Sequence, residues 1–142
     1  MRLMIAVTAI AIATLNGCAS PYSAGNVLPV PANRLLAYQS DDKGRDASVT
    51  VIREGDVNGA GCLFAISIDG KLVALLGGEE KARFYLKPGR RLIGVGPDPA
   101  ANGRCGGSSS FRREVATWVQ AGEQQTFRIV FQPMLDIRPS SY

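Results

Sequence analysis

The stretch Ile66–Val95, ISIDGKLVALLGGEEKARFYLKPGRRLIGV, decides the fold of this 142-residue chain. Within it Ala82, Phe84 and Leu86 alternate with charged or hydroxyl-bearing residues, so every second side chain is apolar. A two-residue period puts one set of side chains on one face of a β-strand, which predicts a strand with a single buried face. The stretch has no sustained helical period. It therefore predicts short strands joined by turns.

Three glycine-containing pairs divide this stretch. Asp69-Gly70 is a strong hairpin signal, because a type I′ turn needs a positive φ at both central residues. Gly77-Gly78 ends the next apolar run. Pro88-Gly89 suits a type II turn, in which proline sets φ at the first central position and glycine permits a positive φ at the second. The pairs bound two predicted strands, Lys71–Leu76 and Lys81–Leu86.

Segments of the same kind continue on both sides: Ala47–Ile52, Cys62–Ile68, Arg91–Val95, Glu114–Val119 and Gln125–Phe131. Strands at roughly ten-residue spacing are typical of an all-β fold, and we expect an antiparallel β-sandwich of about seven strands. A small closed barrel is the alternative. The expected core consists of Val49, Val51, Phe64, Ile66, Ile68, Phe84, Leu86, Ile93, Val95, Phe127, Ile129 and Phe131.

The remaining segments of the domain are less regular. Arg34–Gln39 predicts either a strand or one helical turn. A loop rich in glycine and serine spans Gly96–Ser110. The segment after Phe131 predicts an edge strand that Pro133 and Pro139 restrict, since proline has no N–H to donate to a strand ladder.

The quoted stretch resembles the core of a family of small β-sandwich lipoproteins of unknown function, and it is similar to PEGA-type surface domains. In both, a strand ends in Asp-Gly-Lys, here Asp69-Gly70-Lys71, and a Phe-x-Leu-x-Pro-Gly segment, here Phe84–Gly89, turns into the next strand. Arg90-Arg91 stands where PEGA-like domains commonly have histidine. The resemblance implies an envelope-surface β domain without known catalysis, and it transfers no functional residues.

The chain begins with features of an export signal. Arg2 supplies a positive charge, and Leu3–Leu15 is an uncharged, mostly apolar run that is too short to span a bilayer. Leu15-Asn16-Gly17-Cys18 then resembles a lipobox, in which cleavage precedes the cysteine and its thiol receives diacylglycerol. We therefore predict a lipoprotein signal peptide over residues 1–17 and lipid attachment at Cys18. The alternative is an ordinary secretory signal cut near Ala19-Ser20.

A tether and a location follow from the lipoprotein prediction. Residues 18–33 are rich in proline, alanine, glycine and serine, so we expect a lipidated cysteine and a flexible tether before a domain over residues 34–142. Ala19 after the cysteine is not aspartate, which in lipoproteins of this type favours the outer membrane. The expected location is the cell outer membrane, with the domain facing the periplasm or the cell surface.

Two further cysteines fit an oxidising compartment. Once Cys18 is acylated, Cys62 and Cys105 remain as an even pair. A disulfide between them would close a loop of about 44 residues, worth ~4 kcal/mol in the chain-entropy model. Two unpaired thiols or two metal ligands are the alternatives. A zinc site needs about four ligands, and the chain has no histidine, so the disulfide is favoured.

Composition excludes several classes of function. The absence of histidine removes His-based catalytic triads and proton shuttles, and no Gly-x-Ser-x-Gly elbow surrounds Ser108–Ser110. The formal net charge is +4, which becomes about +3 when Arg2 leaves with the signal. No basic run is long enough to suggest nucleic acid. We expect no enzyme activity, no metal or other cofactor, and no nucleic-acid partner.

One group of residues is a candidate partner patch. Arg104 lies beside Cys105, Phe111 and the pair Arg112 and Arg113 follow the long loop, and Trp118 stands in the next predicted strand. A cross-link would lower the ordering cost of binding at this loop. The alternative is that these arginines only lie in solvent at the ends of the loop and bind no partner. Trp118 is out of phase with Val119, and we expect core burial for it rather than an exposed anchor.

The predicted function is a non-enzymatic envelope lipoprotein, held to the membrane by its N-terminal lipid, that serves as a structural or adaptor binding module for an envelope protein. The alternative is a periplasmic inhibitor of a cell-wall-degrading enzyme, similar to lysozyme inhibitors. Such targets are strongly basic, and a chain of positive net charge would approach them against its own charge.

Overall fold

A computed structural model describes residues 27–42, 44–55, 61–106, 111–131 and 134–140. The described residues form strands and two short 3₁₀ helices, with no α-helix among them. The strands are β1 Leu28–Pro29, β2 Ala47–Arg53, β3 Phe64–Ile68, β4 Lys71–Leu76, β5 Glu80–Leu86, β6 Gly89–Pro97, β7 Arg113–Val119, β8 Gln124–Phe131 and β9 Leu135–Ser140. The 3₁₀ helices cover Ala32–Arg34 and Gly103–Cys105. The prediction of an all-β fold is confirmed.

The strands form two sheets. One has five strands in the order β1-β5-β2-β8-β9, and the other has four in the order β4-β3-β6-β7. The four-stranded sheet is antiparallel, as predicted. In the five-stranded sheet, however, β2 runs parallel to β8 and β1 runs parallel to β5, so the prediction of purely antiparallel pairing is wrong there. Alternation in sequence reports which face of a strand is buried, not the direction of its neighbour.

The two predicted turns have different roles. Asp69 and Gly70 have φ values of +51° and +79°, and Ile68 pairs with Lys71 across them, so they form the hairpin turn between β3 and β4. Gly89 also has a positive φ, +128°, but β5 and β6 belong to different sheets. The turn at Pro88 and Gly89 therefore carries the chain from the five-stranded sheet to the four-stranded one.

Both sheets contribute to one cluster of buried apolar residues among those described. Every predicted core residue is buried except Phe131, which is half-buried and packs against the cluster with its ring stacked on Phe64 at 6.3 Å between centroids. Val73, Val119 and other apolar side chains that the prediction did not name complete it.

The folded part of the chain begins before Arg34. Leu28–Pro29 pairs with β5, and Val30 is buried, so the last residues of the segment predicted as a tether belong to the domain. The segment Arg34–Gln39, expected as a strand or a helical turn, starts at the end of a 3₁₀ helix and continues along β4 through a bridge from Leu35 to Ala74. The predicted signal 1–17 and Cys18 lie outside the described residues.

A group of ionic side chains, the Arg53 cluster (Arg34, Arg53 and Glu80), lies at one end of the core. Arg53 is 1% exposed, its Nη1 donates to the carbonyls of Cys62 at 2.6 Å and Leu76 at 2.9 Å, and its guanidinium lies 3.8 Å from the centroid of the Phe64 ring. Its inward position follows from β2 itself, because Arg53 continues the alternation of buried residues in that strand.

Glu80 joins this cluster through Arg34. Arg34 donates to both carboxylate oxygens of Glu80, at 2.8 and 2.5 Å, and the Gly77 N–H donates to the same carboxylate at 2.6 Å. Burial alone would raise the pKa of Glu80. The hydrogen bonds from Arg34 and Gly77, with the charges of Arg34 and Arg53, outweigh burial and hold the pKa below its ordinary value of 4.5.

The predicted disulfide is present in the structure. Cys62 and Cys105 are bonded, with their Cα atoms 5.2 Å apart. The bond ties the segment just before β3 to the second 3₁₀ helix, Gly103–Cys105. Since the carbonyl of Cys62 also accepts from Arg53, the disulfide and the Arg53 cluster hold the same end of the fold.

Candidate functional site: the outer face of the four-stranded sheet

The strand registers define a face of the four-stranded sheet that points away from the core. Ile66 and Ile68 of β3 are fully buried in the core, so Ala65 and Ser67 lie on the opposite face. Their cross-strand partners share that face, which we call the outer sheet face. It comprises Ala65, Ser67, Leu72, Leu75, Arg90, Leu92, Gly94, Gly96, Glu114, Ala116 and Trp118.

The centre of the outer sheet face is formed by small residues. Ala65 pairs with Gly96, and Ser67 pairs with Gly94, on the two central strands. A Cβ at Gly94 would lie 2.4 Å from Ser67 Oγ and 3.2 Å from Glu114 Cγ, so a larger residue there would displace its neighbours. Glycine at such a strand position leaves room for a neighbouring side chain to lie close to the backbone, and at Gly94 the side chains of Ser67 and Glu114 occupy that room. All four of these small residues are buried.

Trp118 stands on the β7 side of this face with 67% of its surface exposed. The expectation of core burial for Trp118 is therefore wrong. The residue after it, Val119, is fully buried, so alternation turns the Trp118 side chain to the outside. β7 is the last strand in its sheet, and Trp118 pairs with the exposed Arg90 of β6. Among the described residues, Trp118 is thus one of the large apolar side chains that are exposed to solvent.

A hydrogen-bond network fixes the backbone that carries Trp118. The Thr117 hydroxyl donates to Gln125 Oε1 at 2.7 Å, and Gln125 Nε2 donates to the Trp118 carbonyl at 2.9 Å. Gln125 Nε2 also donates to Glu123, whose carboxylate accepts from the Gln120 N–H. These bonds from Gln120 and Gln125 lower the pKa of Glu123. These hydrogen bonds therefore fix the strand from which the Trp118 side chain projects.

The structure divides the predicted partner patch. Arg112 lies beside Gly96, and Phe111, which is 50% exposed, precedes it at the start of β7. Trp118 is at the other end of the strand, about 20 Å from Arg112 at ~3.3 Å per residue. Arg113 is half-buried, and Arg104 is exposed in the 3₁₀ helix beside the disulfide. Phe111 and Arg112 therefore lie at the opposite end of β7 from Trp118, and Arg113 has the phase of the buried Val119, so it does not belong to the outer sheet face.

Sequence reasoning missed the small residues that join these ends. Gly94 and Gly96 fall on alternate positions of β6, a pattern visible in the sequence once the strand is assigned. Ala65 and Ser67 have the same spacing in β3. Both residues are buried although they face outward, since longer side chains of the neighbouring strands flank them. The spacing of small residues on two neighbouring strands was the available signal.

The outer sheet face carries few ionisable groups. It carries two arginines at its borders, one carboxylate, Glu114, and otherwise apolar or small groups. Among the described residues no group of three or more histidine, cysteine or acidic side chains is placed to hold a metal ion. Within the same part of the chain, no helix has both the length and the apolar character needed to cross a bilayer. Ser108–Ser110 lie outside the described residues.

Comparison of the chain with protein-family models, with curated proteins and with solved structures finds no match.

Proposed function

We propose that this protein is a non-enzymatic envelope lipoprotein whose all-β domain, a β-sandwich tethered to the outer membrane through Cys18, serves as an adaptor that docks its outer sheet face on an envelope protein. The observation that carries the proposal is Trp118, 67% exposed beside a strip of small residues. Tryptophan and arginine are the residue types most enriched among those that dominate binding energy at protein interfaces.

The energetic argument rests on exposed apolar area. A tryptophan buries roughly 150–250 Å² when it is covered, and each Å² contributes about 25 cal/mol. Covering the exposed part of Trp118 would therefore contribute on the order of 3 kcal/mol. Arg90 and Arg112 at the borders suit the polar rim that surrounds the centre of an interface.

Site-specific photocross-linking in intact cells tests this proposal. A photoreactive residue at Ala116, which is exposed on the outer sheet face, is compared with the same residue at Arg138, exposed on β9 of the other sheet. We expect a discrete cross-linked partner from position 116 and not from position 138, and we expect Trp118→Ala to remove it. Trp118→Ala should leave the fold intact because the side chain is mostly in water.

Two results would contradict the adaptor role. Equal cross-linking from positions 116 and 138, or a partner unaffected by Trp118→Ala, would remove the outer sheet face as the docking surface. Inhibition of a muramidase by the purified protein, lost in Trp118→Ala, would instead identify an inhibitor of a cell-wall-degrading enzyme.

The lipid anchor is tested separately. Cys18→Ala should leave uncleaved precursor and abolish labelling with radioactive fatty acid, because the thiol and the new amino group at Cys18 are the proposed acylation sites. Cys62→Ala together with Cys105→Ala is the matched control, since neither cysteine of the disulfide is available for acylation. Unchanged labelling in Cys18→Ala would refute the lipoprotein proposal.

A further inference from the structure

A basic cleft lies away from the outer sheet face. It has a volume of about 280 Å³ and is lined by Tyr38, Arg45, Asp69, Leu86, Lys87 and Arg91. Lys71 lies close to one of these residues, with its ammonium 5.3 Å from the centroid of the Tyr38 ring. We call this site the Tyr38 cleft. Its residues come from the loop before β2, the β3–β4 hairpin and the crossing from β5 to β6, so distant parts of the chain converge on it.

Positive charge exceeds negative charge in this cleft. Three cations line it, Arg45, Lys87 and Arg91, and a fourth, Lys71, lies against the Tyr38 ring. Two carboxylates pair with two of them, Asp42 with Arg45 and Asp69 with Arg91, each at 3.2 Å. Among the described residues Lys71 and Lys87 have no carboxylate partner. The surplus is therefore two positive charges.

Arg91 is built into the wall of the cleft. Its Nε and Nη2 donate to the carbonyl of Lys87 at 3.1 and 2.6 Å, and its Nη1 donates to Asp69 and to the carbonyl of Arg90. Asp69 is fixed in turn, because its Oδ1 accepts from the Leu92 N–H at 2.9 Å. Arg91 therefore contributes a fixed positive charge. The other donors nearest to a ligand belong to Arg45 and Lys87, which line the cleft, and to Lys71 beside the Tyr38 ring.

Tyr38 brings two of these donors together. The guanidinium of Arg45 lies 5.4 Å from the centroid of the Tyr38 ring, and the ammonium of Lys71 lies 5.3 Å from the same centroid. Both cations therefore contact one ring. Tyr38 also has a φ of +60°, a left-handed conformation that is unfavourable for a non-glycine residue. Its carbonyl accepts from the Tyr85 N–H at 2.8 Å, which holds it there. Such strained residues cluster at ligand sites.

We propose that the Tyr38 cleft binds a phosphate monoester. A phosphate monoester carries a charge of about −1.5 to −2 near neutral pH, which matches the surplus of two positive charges, and its oxygens accept charge-assisted hydrogen bonds from arginine and lysine. The phosphate group belongs either to a membrane lipid headgroup or to a soluble phosphorylated compound.

Nuclear magnetic resonance of the full-length protein tests this proposal and distinguishes the sources. Inorganic phosphate and glycerol 3-phosphate are titrated into protein held in phosphatidylcholine nanodiscs, and acetate at equal ionic strength is the comparison anion. A second arm replaces part of the phosphatidylcholine with phosphatidic acid. We expect saturable shifts of the Tyr38, Arg45 and Gly70 amides with a phosphate source and not with acetate. Shifts with the soluble compounds or with phosphatidic acid identify the source.

Matched variants locate the binding. Arg45→Gln combined with Lys87→Gln should lower the affinity for phosphate at least about tenfold, since each substitution removes a charged donor to the phosphate oxygens. Arg138→Gln removes an exposed arginine outside the cleft and should leave affinity unchanged. The proposal is overturned if neither phosphate source gives saturable shifts, if acetate shifts the same amides equally, or if the cleft variant binds as tightly as Arg138→Gln.

Discussion

The Arg53 cluster and the Tyr38 cleft both contain arginine and carboxylate side chains, but these side chains have different roles in the two regions. In the Arg53 cluster, Arg34 meets the carboxylate of Glu80, and Arg53 is buried and donates to two backbone carbonyls. In the Tyr38 cleft, cations outnumber carboxylates and stay in contact with water. The difference shows that arginine stabilises this fold where acceptors surround it, and becomes available to a ligand where acceptors are fewer than charges.

The largest expected effect is loss of the disulfide that holds the end of the fold containing the Arg53 cluster. Cys62→Ser combined with Cys105→Ser should lower the free energy of unfolding by about 4 kcal/mol, because the cross-link restricts the unfolded chain over a long loop. Urea unfolding followed by circular dichroism measures it. An unchanged midpoint would show that the closed loop adds little to the stability of this end.

Removal of the buried guanidinium should have the next largest effect. Arg53→Leu keeps an apolar side chain beside Phe64 but leaves the carbonyls of Cys62 and Leu76 without this donor. We expect a loss of about 3 kcal/mol in the free energy of unfolding, since a buried acceptor left unsatisfied costs about 1–3 kcal/mol. The same urea experiment measures it, and a loss no larger than that of Arg45→Gln would break the distinction between the two regions.

The stability that Glu80 contributes to the Arg53 cluster depends on pH. Glu80→Gln should lower the free energy of unfolding by about 1.5 kcal/mol at neutral pH, through loss of charge-assisted hydrogen bonds from Arg34 and Gly77. The pKa of Glu80 is lowered in the folded state, so its contribution is present above the ordinary value of 4.5 and is lost as pH falls through the folded pKa. Unfolding curves of both proteins between pH 7 and pH 3 should therefore converge at the acid end. A constant difference would mean that the charge of Glu80 adds no stability.

The smallest effect is expected in the cleft. Arg45→Gln removes a charge that pairs only with the exposed Asp42 among the described carboxylates, and it should change the free energy of unfolding by less than about 0.5 kcal/mol. Differential scanning calorimetry at low and high salt measures this. A destabilisation comparable to that of Arg53→Leu would mean that the cleft is a structural cluster like the other.

Much of the fold was predictable from alternation. Ala82, Phe84 and Leu86 identified a strand and its buried face, and Asp69-Gly70 identified a hairpin, because local chemistry alone sets both features. The parallel pairing of β2 with β8 was not predictable in this way, since it depends on where the chain crosses between sheets. The burial of Arg53 was not predicted, because charged side chains are usually exposed, although its position continues the alternation of buried residues in β2.

The candidate sites were less predictable. Alternation placed Trp118 on the face opposite Val119, but it does not report whether that face is covered, and the expectation of burial failed there. The positive φ of Tyr38 has no local signature such as glycine, so the cleft it helps to form was not visible in the sequence. Both sites depend on contacts between segments far apart in the chain.

The position of β9 has a consequence for how this protein avoids self-association. β9 is the outer strand of the five-stranded sheet, and it contains Pro139, which has no amide hydrogen, next to the exposed Arg138. A strand edge that lacks a donor and carries a charge is a poor template for a further chain, so stacking of molecules into fibrils from this side is discouraged. Many copies could then lie close together without their sheets pairing into one another.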